Sequence, residues 1–390
     1  SQVNLTAFET YFSEKRPFFI EGADIFRLPV APAITGGDFT RDCLFYSRRI
    51  GKRPSFRPDL DDDEYADVPT STSILGAFKL SGKTAGGLSV GVLESVTARE
   101  RADIHGPDGA RQQAVEPATN YFVGRAMQDF GEGDTVVGAM LTAVNRNIEN
   151  DHLQFLRRSA YAGGLDLQHH FADRNYKLEA RVFGSHLRGA PESIDQVQTS
   201  SARYFQRPDN DHTDYDPTRT SLSGSAGSVL LGRTNNGGKF RFQTGAAWRS
   251  PGFEINDIGY MRRADEINQS TWVSYCQRNP TWIFNEWYLN GNQWLNWDWG
   301  GNYLGAKANV NTNFWLKNRW SSHISVSRDY AYTSNTELRG GPASKWPGNT
   351  RASISIWSNR SKDISFDLSG WIRKGDQDTA DDWNIWGGVT

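Results

Sequence analysis

No stretch of this chain approaches the ~18 consecutive apolar residues that a membrane-crossing helix needs. With 37% hydrophobic residues and a mean hydropathy of -0.63, helical passage through a membrane is excluded, and a soluble protein or a β-barrel remains. An excess of charge of one sign is also missing. The 43 Lys and Arg stand against 45 Asp and Glu, a net charge of -2, so there is no electrostatic footprint for nucleic acid, and no DNA- or RNA-reading motif accompanies it. Cysteine is scarce: Cys43 and Cys276 lie far apart on different predicted strands, make no disulfide framework, and read as small buried hydrophobes. No helical heptad stands out, and no initiator methionine or signal peptide precedes Ser1, so the chain is expected to be processed or cut from something longer.

Glycine and aromatics are plentiful, 38 Gly and 13% Phe, Trp and Tyr, which favours an all-β protein with many turns. The organising unit is Ile74 to Arg99, a long hairpin. Ile74, Phe78 and Leu80 share one face while Lys79 and Ser81 take the other; past the Gly-rich 82–87 turn, Leu88, Val90, Val92 and Val96 alternate with Ser89, Gly91, Ser95 and Thr97. The unit recurs. Tyr161, Leu165, Leu167 and Phe171 answer Tyr176, Leu178, Ala180 and Val182; Leu222, Ala226 and Leu230 are set against Phe240, Phe242 and Trp248 across 235–238. Leu304 to Phe314 faces Trp320, Ile324 and Val326, and Ala352, Ile354 and Ile356 face Ile364, Phe366 and Leu368.

These arms exceed the ~5–6 residues of an ordinary strand and match the ~9–11 of a membrane-spanning one. Tight turns close each hairpin, whereas polar loops such as 101–118, 250–267 and 331–348 separate them, the pattern of an outer-membrane barrel. The expected fold is therefore all-β: a large antiparallel transmembrane β-barrel built as a meander of long hairpins, with roughly 16 or 17 strands counted from Cys43, whose segment 43–51 reads as the first arm. Residues 43–390 are expected to form the barrel and residues 1–42 a plug-like or periplasmic segment. Trp383-Asn384-Ile385-Trp386 reads as a strand that stops before it can pair, so the barrel is expected to be incomplete, with C-terminal strands missing.

Within the first segment Glu14, Lys15 and Arg16 separate two aromatic clusters. Such charges are costly in lipid but suit a lumen lined by Arg48, Arg49, Arg125, Lys177, Arg181 and Arg241, so Phe8–Phe26 is expected to sit inside or beneath the barrel and pair with its wall. Lys307 and Asn311 are expected inside as well, with Phe240, Phe242, Ile324, Val326, Ile364 and Phe366 on lipid. Tryptophan is concentrated between Trp272 and Trp299. Trp282, Trp287, Trp294, Trp297 and Trp299 form either an interfacial girdle, with ring apolar and N–H wet, or a stacking platform for sugars.

A catalytic, cofactor-binding or metal-ligating set is not picked out. Gly87-Leu88-Ser89-Val90-Gly91 fits the G-x-S-x-G pattern but lies inside a strand arm, where the serine elbow cannot form. His169-His170 and Asp151-His152 lack zinc spacing. The acidic Asp59–Asp67 run lacks the spaced Gly and final Glu of a calcium loop and reads as solvated surface.

The segments NLTAFETYFSEKRPFFIEG, LFYSRRIGKRP, ILGAFKLSGKTAGGLSVGVLESVTARE, TNYFVGRAMQDFGEGDTVVGAMLTAVNR, SSARYFQRPD and RSPGFEINDIGYMRRAD resemble an uncharacterised C-terminal domain of Gram-negative bacterial proteins. The likeness is dense to about Asp265 and thin beyond it. In that family the domain follows one similar to family 9 carbohydrate-binding modules. The resemblance implies an outer-membrane β-barrel acting in transport, docking or anchoring linked to carbohydrate binding, with outer-membrane lipid and a carbohydrate or a periplasmic or cell-surface protein as partners. It carries over no catalytic residue, and a hydrolase label would belong to the preceding domain. The alternative reading is a soluble β-rich carbohydrate-binding or glycoside-hydrolysing protein.

Overall fold

The computed structural model describes residues 9–31, 41–107, 109–233 and 238–390. The turn expected at 235–238 and the residues before Glu9 lie largely outside that set. Among the described residues fifteen strands form one antiparallel sheet in strict chain order. They are β1 (Ile74–Lys83), β2 (Leu88–Thr97), β3 (Ala118–Phe130), β4 (Thr135–Asn147), β5 (Ser159–Phe171), β6 (Tyr176–Arg188), β7 (Ser221–Arg233) and β8 (Phe240–Arg249). There follow β9 (Glu266–Gln277), β10 (Phe284–Trp297), β11 (Tyr303–Leu316), β12 (Ser321–Asp329), β13 (Asn349–Trp357), β14 (Phe366–Gly375) and β15 (Asp381–Val389). Among the described residues β1 and β15 are the two edges. Among the described residues no helix is long and apolar enough to cross a membrane.

The two-residue period decides what each strand exposes. Outward side chains include Phe78 and Leu80 on β1, Leu141 on β4, Leu165 on β5, Val182 on β6, Val229 on β7, Val310 on β11, Val326 on β12, Ile354 on β13 and Ile385 on β15, all exposed. The neighbouring positions turn inward and carry Arg125, Asp166, Lys177, Glu179, Arg181 and a run of Asn. One expected pairing is corrected. Leu222, Ala226 and Leu230 are buried on the inner face of β7, whereas Phe240 and Trp248 belong to the outward face of β8; Trp248 sits opposite Gly227, and the outward apolar residues of β7 are Val229 and Leu231. The inner face of β7 is apolar because core residues, not water, lie against it.

Connections gather on two rims. One rim has the short turns 84–87, 131–134, 172–175, 317–320 and 358–365; the other has 98–117, 148–158, 189–220, 250–265 and 330–348, with the tight 298–302 and 376–380 turns among them. Several of the long connections are structured. Residues 101–118, expected as a polar loop, fold as a hairpin of Glu100–Gly106 with Gly109–Glu116, to which Tyr65–Asp67 adds a third strand. Pro191–Gln198 is a helix that buries Ile194 and Val197.

Cys43–Gly51 is not the first arm of the sheet, which begins at Ile74. Cys43 makes isolated bridges to Pro29 and Tyr260, and Ser47–Arg49 is a single 3-10 turn. Leu44 and Ile50 are fully buried: an apolar run that reads as a strand is instead a piece of core. That core joins Phe19, Phe26, Leu28 and Val30 of the N-terminal segment to Leu93, Val123, Met140, Val144, Phe183 and Leu187 on β2 to β6, and to Phe253, Ile255 and Ile258 of the long-loop rim.

The sheet must curl to make it. A Cβ on Gly22 would lie 2.7 Å from Ser81 Oγ on β1, and the Val30 carbonyl accepts a hydrogen bond from Ser228 Oγ on β7 at 2.9 Å. In a flat sheet those strands stand six steps apart, about 29 Å. Eight residues span that only if fully extended, at about 26–29 Å, and here Gly22 to Phe26 is coiled into turns, with Ile25 N–H donating to the Gly22 carbonyl. Only a wrapped sheet lets one short segment touch both walls.

Candidate functional site: the inner face and its N-terminal filling

The N-terminal segment is held first by its own charges. Glu14 accepts hydrogen bonds from Arg16 Nη2 at 2.7 Å and Ser47 Oγ at 2.6 Å, while Arg16 Nη1 donates to the Ile50 carbonyl at 2.7 Å. Burial raises the Glu14 pKa, but these bonds outweigh it and bring the carboxyl down to about 2. Lys15 is exposed. Arg48 donates to the Ser13 carbonyl, and Arg49 pairs with Glu9 at 2.7 Å and donates to the Gly259 carbonyl at 3.0 Å. Thus Arg48 and Arg49 belong to the filling rather than to the wall, and Glu14 and Arg16 satisfy each other.

Other residues tie the filling to the sheet. Lys79 on β1 donates to the Phe18 and Glu21 carbonyls, and Asp42 pairs with Arg249 on β8 at 2.7 Å. From the rim, Asp257 accepts from Arg146 on β4 at 2.6 Å and from Arg157 at 2.9 Å. Burial opposes the Asp257 charge; the two guanidiniums overcome it and hold the carboxyl below the usual range. Arg203 pairs with Glu254 at 2.7 Å beside it. None of these long-range partners is readable from spacing, since 111 residues separate Arg146 from Asp257.

Toward the short-turn rim Arg125, Lys177, Arg181 and Arg241 lie on the inner face of the sheet. Arg125 binds Asp166 across β4, with Nη2 at 2.9 Å; Lys177 and Arg181 both pair with Glu179 on their own strand. Arg241 lies over the rings of Trp272 and Tyr288, 5.3 and 5.8 Å from their centroids. Beside it runs an amide ladder: Asn290 donates to Asn311 at 2.9 Å, Asn292 to Asn309 at 3.0 Å, and Asn309 to Ser325 at 2.7 Å. Register on β10 to β12 places every second residue there, which is why a sequence scan sees only scattered Asn.

The filling covers β1 to β8 but leaves room beside β8 to β12. A cavity of about 1060 Å³ opens there, lined by Tyr11, Arg41, Asp42, Arg249, Arg263, Glu266, Asn268, Asn296, Lys307, Asp329 and Tyr332. The hairpin of Tyr332–Ser334 with Ser344–Trp346 folds over it; a Cβ on Gly305 would lie 2.9 Å from that of Tyr332, so this approach requires glycine.

The tryptophans divide. Trp287 and Trp297 point outward near opposite ends of β10, Trp294 points inward opposite Lys307, and Trp282 and Trp299 occupy the connections at the two rims. Five rings so dispersed do not make one stacking surface.

The family model described as a domain of unknown function, DUF5916, matches residues 1–388. No curated protein matches the sequence. The structure is similar to BamA from Haemophilus ducreyi lacking POTRA domains 1–3, with TM-score 0.33 and 11% identity over 82% of this chain and 70% of that one. It is also similar to CdiB from Acinetobacter baumannii, with TM-score 0.32 and 9% identity over 85% of this chain and 60% of that one.

Proposed function

We propose, from the premise that this chain belongs to the DUF5916 family, that it is an outer-membrane β-barrel whose lumen is half closed by its N-terminal segment and passes or binds polar solutes through the rest. The observation that carries this reading is the outward band of exposed apolar side chains running from Phe78 on β1 to Ile385 on β15. Monomeric soluble proteins rarely expose contiguous apolar patches beyond a few hundred Å², and lipid is the partner that suits a band of this kind. Trp287 and Trp297 support its height: ten residues apart, they span about 33 Å along the strand, or about 25 Å at the ~40° tilt of a barrel strand, the depth of an outer-membrane apolar belt. Their indoles then serve as girdle.

Saccharides are the solute class favoured by the amide ladder of Asn290, Asn292, Asn309 and Asn311, since amides match hydroxyl groups. A preceding carbohydrate-binding domain would feed or anchor such a lumen. The purified chain should require detergent to stay monodisperse and should insert into lipid vesicles; a monodisperse chain in plain buffer would overturn the barrel. In planar bilayers it should conduct weakly, with current reduced by added oligosaccharide. Current insensitive to oligosaccharide would remove the saccharide assignment and leave the barrel standing.

A further inference from the structure

Three connections on the long-loop rim, 189–220, 250–265 and 298–302, converge on His212, Asp265 and Asp298; one imidazole nitrogen and one carboxylate oxygen from each aspartate lie within 4.8 Å of one another. Asp265 and Asp298 are 2% and 3% exposed. Two carboxylates enclosed side by side are unfavourable without compensating positive charge. Oδ1 of Asp265 accepts from His212 Nε2 at 2.8 Å and from the Trp299 N–H at 3.1 Å. Its Oδ2 is buried with no hydrogen-bond partner, and Arg207 Nη2 stands 4.0 Å away, outside bonding range. Asp298 is oriented by the Asn302 N–H at 2.8 Å and Asn302 Nδ2 at 3.0 Å, which leaves lone pairs on both its oxygens. Gly300 lets this turn approach the imidazole: a Cβ there would lie 2.7 Å from His212 Nδ1.

We propose that His212, Asp265 and Asp298 bind a divalent cation that pins the three loops together. One nitrogen and two carboxylates suit the Zn²⁺ or Mn²⁺ class better than Ca²⁺, which prefers oxygen alone. The imidazole binds through Nε2, and the proton now shared with Asp265 moves to Nδ1. That nitrogen is buried without a hydrogen-bond partner, and Asp211 Oδ1 lies 3.5 Å from it, so the shifted proton gains an acceptor in the carboxylate–histidine–metal arrangement. The Asp265 oxygen that accepts no hydrogen bond, with Arg207 Nη2 only as near as 4.0 Å, gains a directly bound cation.

The test uses the full chain in detergent, stripped with EDTA and titrated with Zn²⁺, Mn²⁺ and Ca²⁺. One Zn²⁺ per chain should bind, raise the unfolding temperature, and outcompete Ca²⁺; His212→Gln and Asp298→Asn should each weaken it by about tenfold or more. Asp214→Asn, on a side chain 98% exposed, should change nothing. Equal affinity and stoichiometry in wild type and both variants would mean an adventitious ion only and overturn the site. Should a variant fail to fold, Co²⁺ bound to the wild type decides: a spectrum without an imidazole ligand overturns the proposal.

Discussion

Arg146 Nη1 lies 2.6 Å from Asp257 Oδ1, and both side chains are enclosed, 3% and 1% exposed. The pair fastens the 250–265 rim connection to β4, and Arg157 closes on the same carboxylate. Removing one member of a buried pair strands its partner's charge. Asp257→Asn should therefore cost about 3–5 kcal/mol in reversible denaturant unfolding. Arg157→Lys should cost far less, since Arg157 reaches solvent.

Acid should loosen the filling before it unfolds the sheet. Glu14 and Asp257 both titrate below their ordinary range in the folded chain, Glu14 near 2 against its usual 4.5. The unfolded chain therefore takes up protons first. The stabilisation is complete above pH ~4.5 and is lost as pH falls toward 2. Protease cleavage within 9–31 should accelerate across that window while the strand signal in circular dichroism persists. Loss of both together would contradict the separation.

Gly91 on β2 makes room for the filling: a Cβ there would lie 2.8 Å from Ile25 Cγ2 and 2.9 Å from Phe26 Cε1. Gly91→Phe should expel the segment at an overpacking cost of about 1–3 kcal/mol and increase bilayer conductance. Gly184→Ala, where nothing lies within 4 Å, should leave conductance unchanged.

The alternation of faces is testable on two neighbours. Ile354 is outward and exposed at the middle of β13, while Ser353 sits inward opposite Ser325. Ile354→Arg should cost about 2–4 kcal/mol in a bilayer, and Ser353→Arg should fold into vesicles like the wild type. This pair is a sharper probe than Phe366, which opens β14 at the rim.

Period-two alternation made the hairpins legible: Ile74–Lys83 with Leu88–Thr97 and Ser159–Phe171 with Tyr176–Arg188 fall where the faces change. It failed where core replaced lumen. Leu222 and Leu230 look lipid-facing because an apolar residue carries no label for what covers it. Leu44 and Ile50 look like strand for the same reason. The site was legible as residue types, Arg and Lys on inward faces, but not as partners. Asp42 with Arg249 and Asp257 with Arg146 depend on how the sheet wraps, which no local spacing encodes.

Fifteen strands in up-and-down order have a parity. Fourteen antiparallel steps bring β15 back to the direction of β1, so both edges run the same way. A direct seam between them would be a parallel one, with slanted bonds slightly weaker per residue than those of every other neighbouring pair. A seam antiparallel on both sides would take one more strand. In a wall closed directly between β1 and β15, that seam would be the one parallel pairing among the described strands, and mechanical or thermal opening would begin there.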